Sequence, residues 1–177
     1  KLSDNITPLQ IAKAVSEWVS KNSDSNEYAS FAQSAAIDAI GEWYQQNQTF
    51  QKDLFAGDTN QFEVWRKSAD GSGFCEISRL YFSKFTERYL KYFLERAASS
   101  SMNSIETRNR FNTELQEHLR EISKHAFETA KITQSFAAGW FNKNAKDSVP
   151  SARKIQGFLN IAFNKIKGEL LREENSR

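Results

Sequence analysis

Three cations in the middle of the chain, Lys84, Arg88 and Lys91, stand at i, i+4 and i+7, a spacing that puts them on one face of a helix beside Tyr81 and Tyr92. Arg66, Lys67 and Arg79 lie near them in sequence. Cationic groups interleaved with rings are suited to holding phosphates while bases or sugars rest on the rings. The plainer alternative is an ion-paired surface in which Glu87 neutralises Lys84 and Lys91, and Glu95 also neutralises Lys91.

A second basic stretch lies near the end of the chain. Between Lys143 and Lys167, six cations (Lys143, Lys146, Arg153, Lys154, Lys165 and Lys167) are opposed by Asp147 alone. The net charge of +2 hides this asymmetry: residues 1–60 hold four Lys against eight Asp or Glu, so they carry −4 and the rest carries +6. Such a segment suits a surface that faces a polyanion; a solvated helix face is the alternative.

Other chemistry-bearing residues fit their ordinary roles better. His118 and His125 are seven apart, hence on one helix face, with Glu114, Glu121 and Glu128 interleaved. Neither histidine has a Glu three residues before it, as a carboxylate-bridged metal pair in a bundle requires, so the group reads as a polar stripe. Cys75 near a helix start could be acidified by the helix dipole, yet no histidine is close in sequence to act as its base. A packed structural cysteine is the simpler reading. Asp70-Gly71-Ser72-Gly73 has the glycine content of a phosphate-cradling loop but lacks the preceding strand and the Lys-Ser or Lys-Thr ending, so it reads as a flexible turn.

These residues must be positioned by helices. The 177 residues contain only seven Gly and two Pro, with 39% hydrophobic and 13% aromatic residues, led by 14 Phe. Breakers this scarce favour long helices, and the length suits a single domain over residues 1–177 that buries roughly 70% of its unfolded surface without a metal or disulfide. One cysteine excludes an internal disulfide framework and fits a reducing compartment, so a cytoplasmic location is expected. No stretch of eighteen apolar residues and no secretory leader pattern is present, so no membrane partner is expected. The first residue is Lys, so a trimmed leader or a longer parent product is expected.

The expected fold is all-α, a bundle of about five main helices around a long central one. Thr7-Pro8-Leu9-Gln10 is a capping box with proline at the first helical position, opening a helix to about Lys21 with Ile11, Val15, Trp18 and Val19 facing inward. An alanine-rich helix follows from Glu27 to about Gln46. Residues 47–70 read as a connection holding short helical segments around Phe50–Phe55 and Phe62–Trp65. The central helix follows the Asp70 turn, with Phe74, Ile77, Tyr81, Phe85, Tyr89 and Tyr92 at three- and four-residue steps. Leu80, Phe82, Leu90, Phe93 and Leu94 widen the stripe, so more than one side must be covered. Ser104 caps the next run, which extends to about Asn142, about 57 Å if straight, unless Gly139 or the hydroxyls near residue 133 break it. Pro150 then opens a last helix with Ile155, Leu159, Ala162, Ile166 and Leu170 inward, and a charged tail from Arg172 frays.

Through the stretch ADGSGFCEISRLYFSKFTERYLKYFLERAAS (residues 69–99), its helical character and its basic faces, the chain resembles the small all-helical subunits of type I CRISPR effector complexes. The likeness is to type I-D in particular, where such a subunit corresponds to the C-terminal helical portion of the large subunit. The resemblance implies a non-enzymatic, cofactor-free role in an RNA-guided antiviral ribonucleoprotein. It implies contacts to the backbone of a guide RNA, target or displaced DNA strand, and packing against other subunits and copies of itself. Lys84, Arg88, Lys91, Arg153, Lys154, Lys165 and Lys167, with Lys143 and Lys146, are then the candidate phosphate contacts. Two rival expectations are a protein-binding bundle that seats a partner on Trp65, Trp140 and Phe141, and a helical enzyme using His118 or His125 with Glu121.

Overall fold

The helix starts follow local hydrogen-bonding chemistry. In the computed structural model, which describes residues 6–22, 26–47, 61–99, 102, 104–129 and 134–175, the Thr7 amide donates to Gln10 Oε1 at 2.8 Å and the Gln10 amide to Thr7 Oγ1 at 3.2 Å. This reciprocal box opens α1 (Pro8–Asn22). Asn26 caps α2 (Glu27–Asn47) through the Ala29 amide at 2.8 Å. Then come α3 (Gln61–Ser68) and α4 (Gly71–Ser99), with Ser104 capping α5 (Ile105–Thr129) through the Thr107 amide at 3.1 Å. The chain closes with α6 (Gln134–Asn144) and α7 (Ala152–Glu174). The protein is an all-α bundle, and no strand occurs among the described residues.

Among the described residues seven helices stand, the long ones matching the expected bundle around a long central helix and the short α3 and α6 adding to it. The run expected from Ser104 to Asn142 is carried by α5 and α6, while residues 130–133, where a break was anticipated, lie outside the described residues. The segment around Phe50–Phe55 also lies outside them. Pro150 does not open α7. Ser151 does, its carbonyl accepting from the Lys154 and Ile155 amides at 3.0 and 3.1 Å. Helix continues through Arg172 to Glu174 rather than fraying at Arg172, and the Asn175 side chain closes it on the Leu171 carbonyl at 2.8 Å.

α4 is the axis of the bundle and touches α2, α3, α5 and α6. On α2, Ala35, Ala39 and Trp43 recur every four residues and form the buried row; two of the three are alanines, which let α4 lie close. α1 packs on α2 from outside, and its Trp18 is 64% exposed instead of facing inward. α7 docks through large side chains. Phe158, Ala162 and Ile166 are buried with Phe82, Cys75 and Ala137, and Phe158 meets Trp140 at 4.8 Å and Phe136 at 5.4 Å between ring centroids. Pairs of this kind each add about 0.5–1.5 kcal/mol beyond the area they bury.

The Asp-Gly-Ser-Gly segment is the first turn of α4, not a turn before it. Asp70 Oδ1 accepts from the Gly73 amide at 2.8 Å as the helix cap. Glycine is required because neighbouring backbones come close. A Cβ at residue 73 would sit 2.1 Å from the Lys67 carbonyl oxygen, and one at residue 71 would sit 2.8 Å from Ala138 Cβ. No described helix is long and apolar enough to cross a membrane.

Candidate nucleic-acid interface

Lys84, Arg88 and Lys91 share one side of α4, and that side faces carboxylates. Lys84 Nζ lies 2.6 Å from Glu42 Oε2 of α2, and Arg88 donates to Asp38 of the same helix. Arg88 also reaches back to the Lys84 carbonyl at 3.3 Å. Lys91 pairs with Glu95 at 3.7 Å and donates to Gln116 Oε1 of α5 at 3.3 Å. All three cations are half-buried. They line two polar clefts, of about 350 and 700 Å³, whose walls also hold Glu76, Glu87, Glu117, Arg79 and Arg120. Charges of both signs balance there, so a phosphate entering would compete with carboxylates already in place. The strip ties α4 to α2 and α5. The Glu95–Lys91 pair is the one foreseen from helix spacing, whereas Glu87 makes no ion pair among the described residues.

The second basic stretch has different surroundings. Lys143 is in the last turn of α6, Lys146 in the turn after it, and Arg153 and Lys154 in the first turn of α7, with Lys165 and Lys167 three to four turns on. All six are exposed, and none of their side chains makes an ion pair or hydrogen bond among the described residues. Since Phe158, Ala162 and Ile166 set the inner face of α7, helical phase sends the cations to the flanks of its outer face. Lys154 and Lys165 are about 16 Å apart along the axis, and Arg153 and Lys167 about 21 Å. Asp147 is the sole acid within the stretch, while Arg172, further along, is occupied by Glu169 at 2.9 Å.

The α6–α7 turn that carries Lys146 is held firmly. The Ala145 and Lys146 amides both donate to the Phe141 carbonyl, at 2.8 and 3.1 Å, and the Asn144 side chain bonds the Trp140 carbonyl at 2.9 Å. Phe141 and Trp140 stack in turn on Phe74, at 5.2 and 5.6 Å. The cations thus project from a packed support, which lowers the ordering cost of using them.

The remaining candidates are accounted for by packing. Cys75 is buried in the core, where burial pushes its thiol pKa up, Arg79 opposes the shift and Glu76 adds to it. His118 and His125 are both exposed on α5, and no group of three metal-capable side chains occurs among the described residues. Trp65, Trp140 and Phe141, expected to seat a partner, are half-buried and packed on other rings. Trp65 stacks on Tyr44 at 5.6 Å and donates from Nε1 to the Ile6 carbonyl at 2.7 Å, and the other two pack on Phe74. Among the described residues the exposed aromatics are Trp18, Tyr28, Tyr89 and Phe93; Trp18, Tyr89 and Phe93 stand at helix positions whose periodicity reads as apolar. Comparison with protein-family models, curated proteins and solved structures finds no match to this chain.

Proposed function

We propose that the chain is a non-enzymatic helical subunit that binds the sugar–phosphate backbone of nucleic acid through the outer face of α7 and the α6–α7 turn. The observation that carries this reading is the set of six exposed cations between Lys143 and Lys167, unpaired among the described residues, against the single Asp147. Cations in this state release condensed counterions from the strand when they bind it, so the interaction is independent of sequence and weakens steeply with salt. Lys84, Arg88 and Lys91 take a supporting role, tying α4 to α2 and α5. The resemblance to small subunits of type I CRISPR effector complexes adds that the strand is a guide–target duplex or displaced strand and that other subunits pack alongside. Filter binding of labelled oligonucleotides at low salt tests the reading. Binding is expected for the parent chain and strong loss for Arg153→Glu/Lys154→Glu, and an absence of binding by the parent would refute it.

A protein-binding role without nucleic acid is the second reading. It is favoured by an open groove of about 410 Å³ among α2, α4, α6 and α7, walled by Ile40, Ile77, Tyr81, Trp140, Ile155 and Leu159. On that reading the oligonucleotide would be ignored by the parent chain and the charge-reversed variant alike.

A further inference from the structure

The aromatic row of α4 outlasts its cover. Phe85, Tyr89 and Phe93 follow one another every four residues, and Phe163 of α7 closes over Phe85 at 5.0 Å. Beyond that point α7 offers no further ring. Tyr89 and Phe93 are left 39% and 41% exposed, and Tyr28 of α2, itself 51% exposed, stacks on Tyr89 at 6.1 Å with the ring planes 29° apart. Tyr89 and Phe93 are 4.9 Å apart. Phe31 and Tyr92 hold the group from behind, through contacts of 6.3 Å to Tyr28 and 5.2 Å to Phe93. These rings are oriented before any ligand arrives.

The charges around the rings favour an anionic strand. α7 runs in the same sense as α4, because Phe158 meets Phe74 while Phe163 meets Phe85. One more turn puts Lys167, which follows Phe163 by four residues on the same side of α7, level with Tyr89. Arg96, seven residues beyond Tyr89 on the same side of α4, has its guanidinium 6.0 Å from the Tyr92 ring centre and 2.9 Å from the Tyr92 hydroxyl. Glu27, which accepts from that hydroxyl at 3.4 Å, is the one carboxylate in these contacts. Ring faces between cations match unpaired bases on a phosphate backbone, since every base has a π-face. In a duplex those faces are already stacked.

We propose that Tyr28, Tyr89 and Phe93 form a stacking platform for unpaired bases of a single strand whose backbone is met by Lys167 and Arg96; the assignment rests on the phosphate-binding reading of α7. The test is binding of a fluorescent single strand and of a duplex of equal length to the full chain, at one salt concentration. Tyr89→Leu/Phe93→Leu keeps apolar bulk and removes the rings, and the exposed Tyr28→Leu serves as a second variant that leaves the α4 row intact. The parent is expected to favour the single strand. The double variant should lose at least about fivefold on the single strand with duplex binding unchanged, and Tyr28→Leu should lose in the same direction. Unchanged single-strand binding in both variants, with Arg153→Glu/Lys154→Glu still weakening it, would overturn the platform and leave the phosphate reading standing. Equal losses on both substrates would overturn it as well. So would conversion of a dimer to a monomer in sedimentation with oligonucleotide binding intact, because the rings would then seat a second copy of the chain. Absence of any binding by the parent would remove both proposals together.

Discussion

Lys84, Arg88 and Lys91 on α4 and Arg153, Lys154, Lys165 and Lys167 on α7 are the same kinds of side chain, yet they meet opposite surroundings. The α4 row is walled by α2 and α5, which contribute Glu42, Asp38 and Gln116 to it. The α7 cations are exposed on the sides of the helix away from its buried face. A cation already satisfied by a carboxylate has little to gain from a phosphate, whereas an unpaired one keeps its whole field for a ligand. Burial and pairing, more than the number of cations, separate a structural row from a binding row.

That separation can be attacked first on the structural side. Phe82, 1% exposed and in contact with Phe158 and Phe163, is the centre of what α4 buries, so Phe82→Ala should cost about 3–5 kcal/mol in urea unfolding. A cost below about 1 kcal/mol would mean that α4 is not the axis. At the α4 start, Gly73→Ala should cost about 1–3 kcal/mol through its clash with the Lys67 carbonyl. Gly41→Ala, where a Cβ meets nothing within 4 Å, should instead gain roughly 0.5–1 kcal/mol from helix propensity.

The pairing itself sharpens the comparison next. Lys84→Met should lose about 1 kcal/mol of stability, because Glu42 is left half-buried without its partner, and nucleic-acid affinity should not change. A double-mutant cycle with Glu42→Gln isolates the coupling. The smallest effect is on pH dependence. Burial raises the Cys75 thiol above its ordinary 9.0 and the Tyr81 hydroxyl above its ordinary 10.0, so the folded state favours their neutral forms. Stability from these groups is complete well below pH 9 and declines as pH rises through and beyond it. Unfolding midpoints measured from pH 7 to 11 should fall above pH 9 in the parent and fall less in Cys75→Ala.

Much of the fold was legible because its causes are local. The Thr7–Gln10 box, the Ser104 cap, the alanine row of α2 and the inward stripe of α7 each depend on residues within a turn or two. In α7 the stripe held at Ala162 and Ile166, whereas Ile155, expected inward, is 39% exposed, and Phe158, not expected there, is buried among Phe74, Phe82, Phe136 and Trp140. What was not legible depends on distant neighbours. Glycines at residues 71 and 73 read as a flexible turn because the Lys67 carbonyl and Ala138, which demand them, belong to α3 and α6. Arg88 is answered by Asp38, 50 residues away, and no helical spacing reports that. Periodicity marked Tyr89 and Phe93 as apolar positions of α4 without showing that cover by α7 ends at Phe163.

The central claim, that the unpaired row binds and the paired row supports, is tested most directly by the slope of log affinity against log salt for one oligonucleotide with three proteins. The parent chain should bind with a steep negative slope, and Lys84→Met should reproduce it. Arg153→Glu/Lys154→Glu should bind more weakly, with a slope shallower by roughly 1.5–2, because each reversed cation no longer neutralises a phosphate. A parent that does not bind at low salt, or a slope flattened by Lys84→Met and untouched by the α7 reversal, would contradict the account.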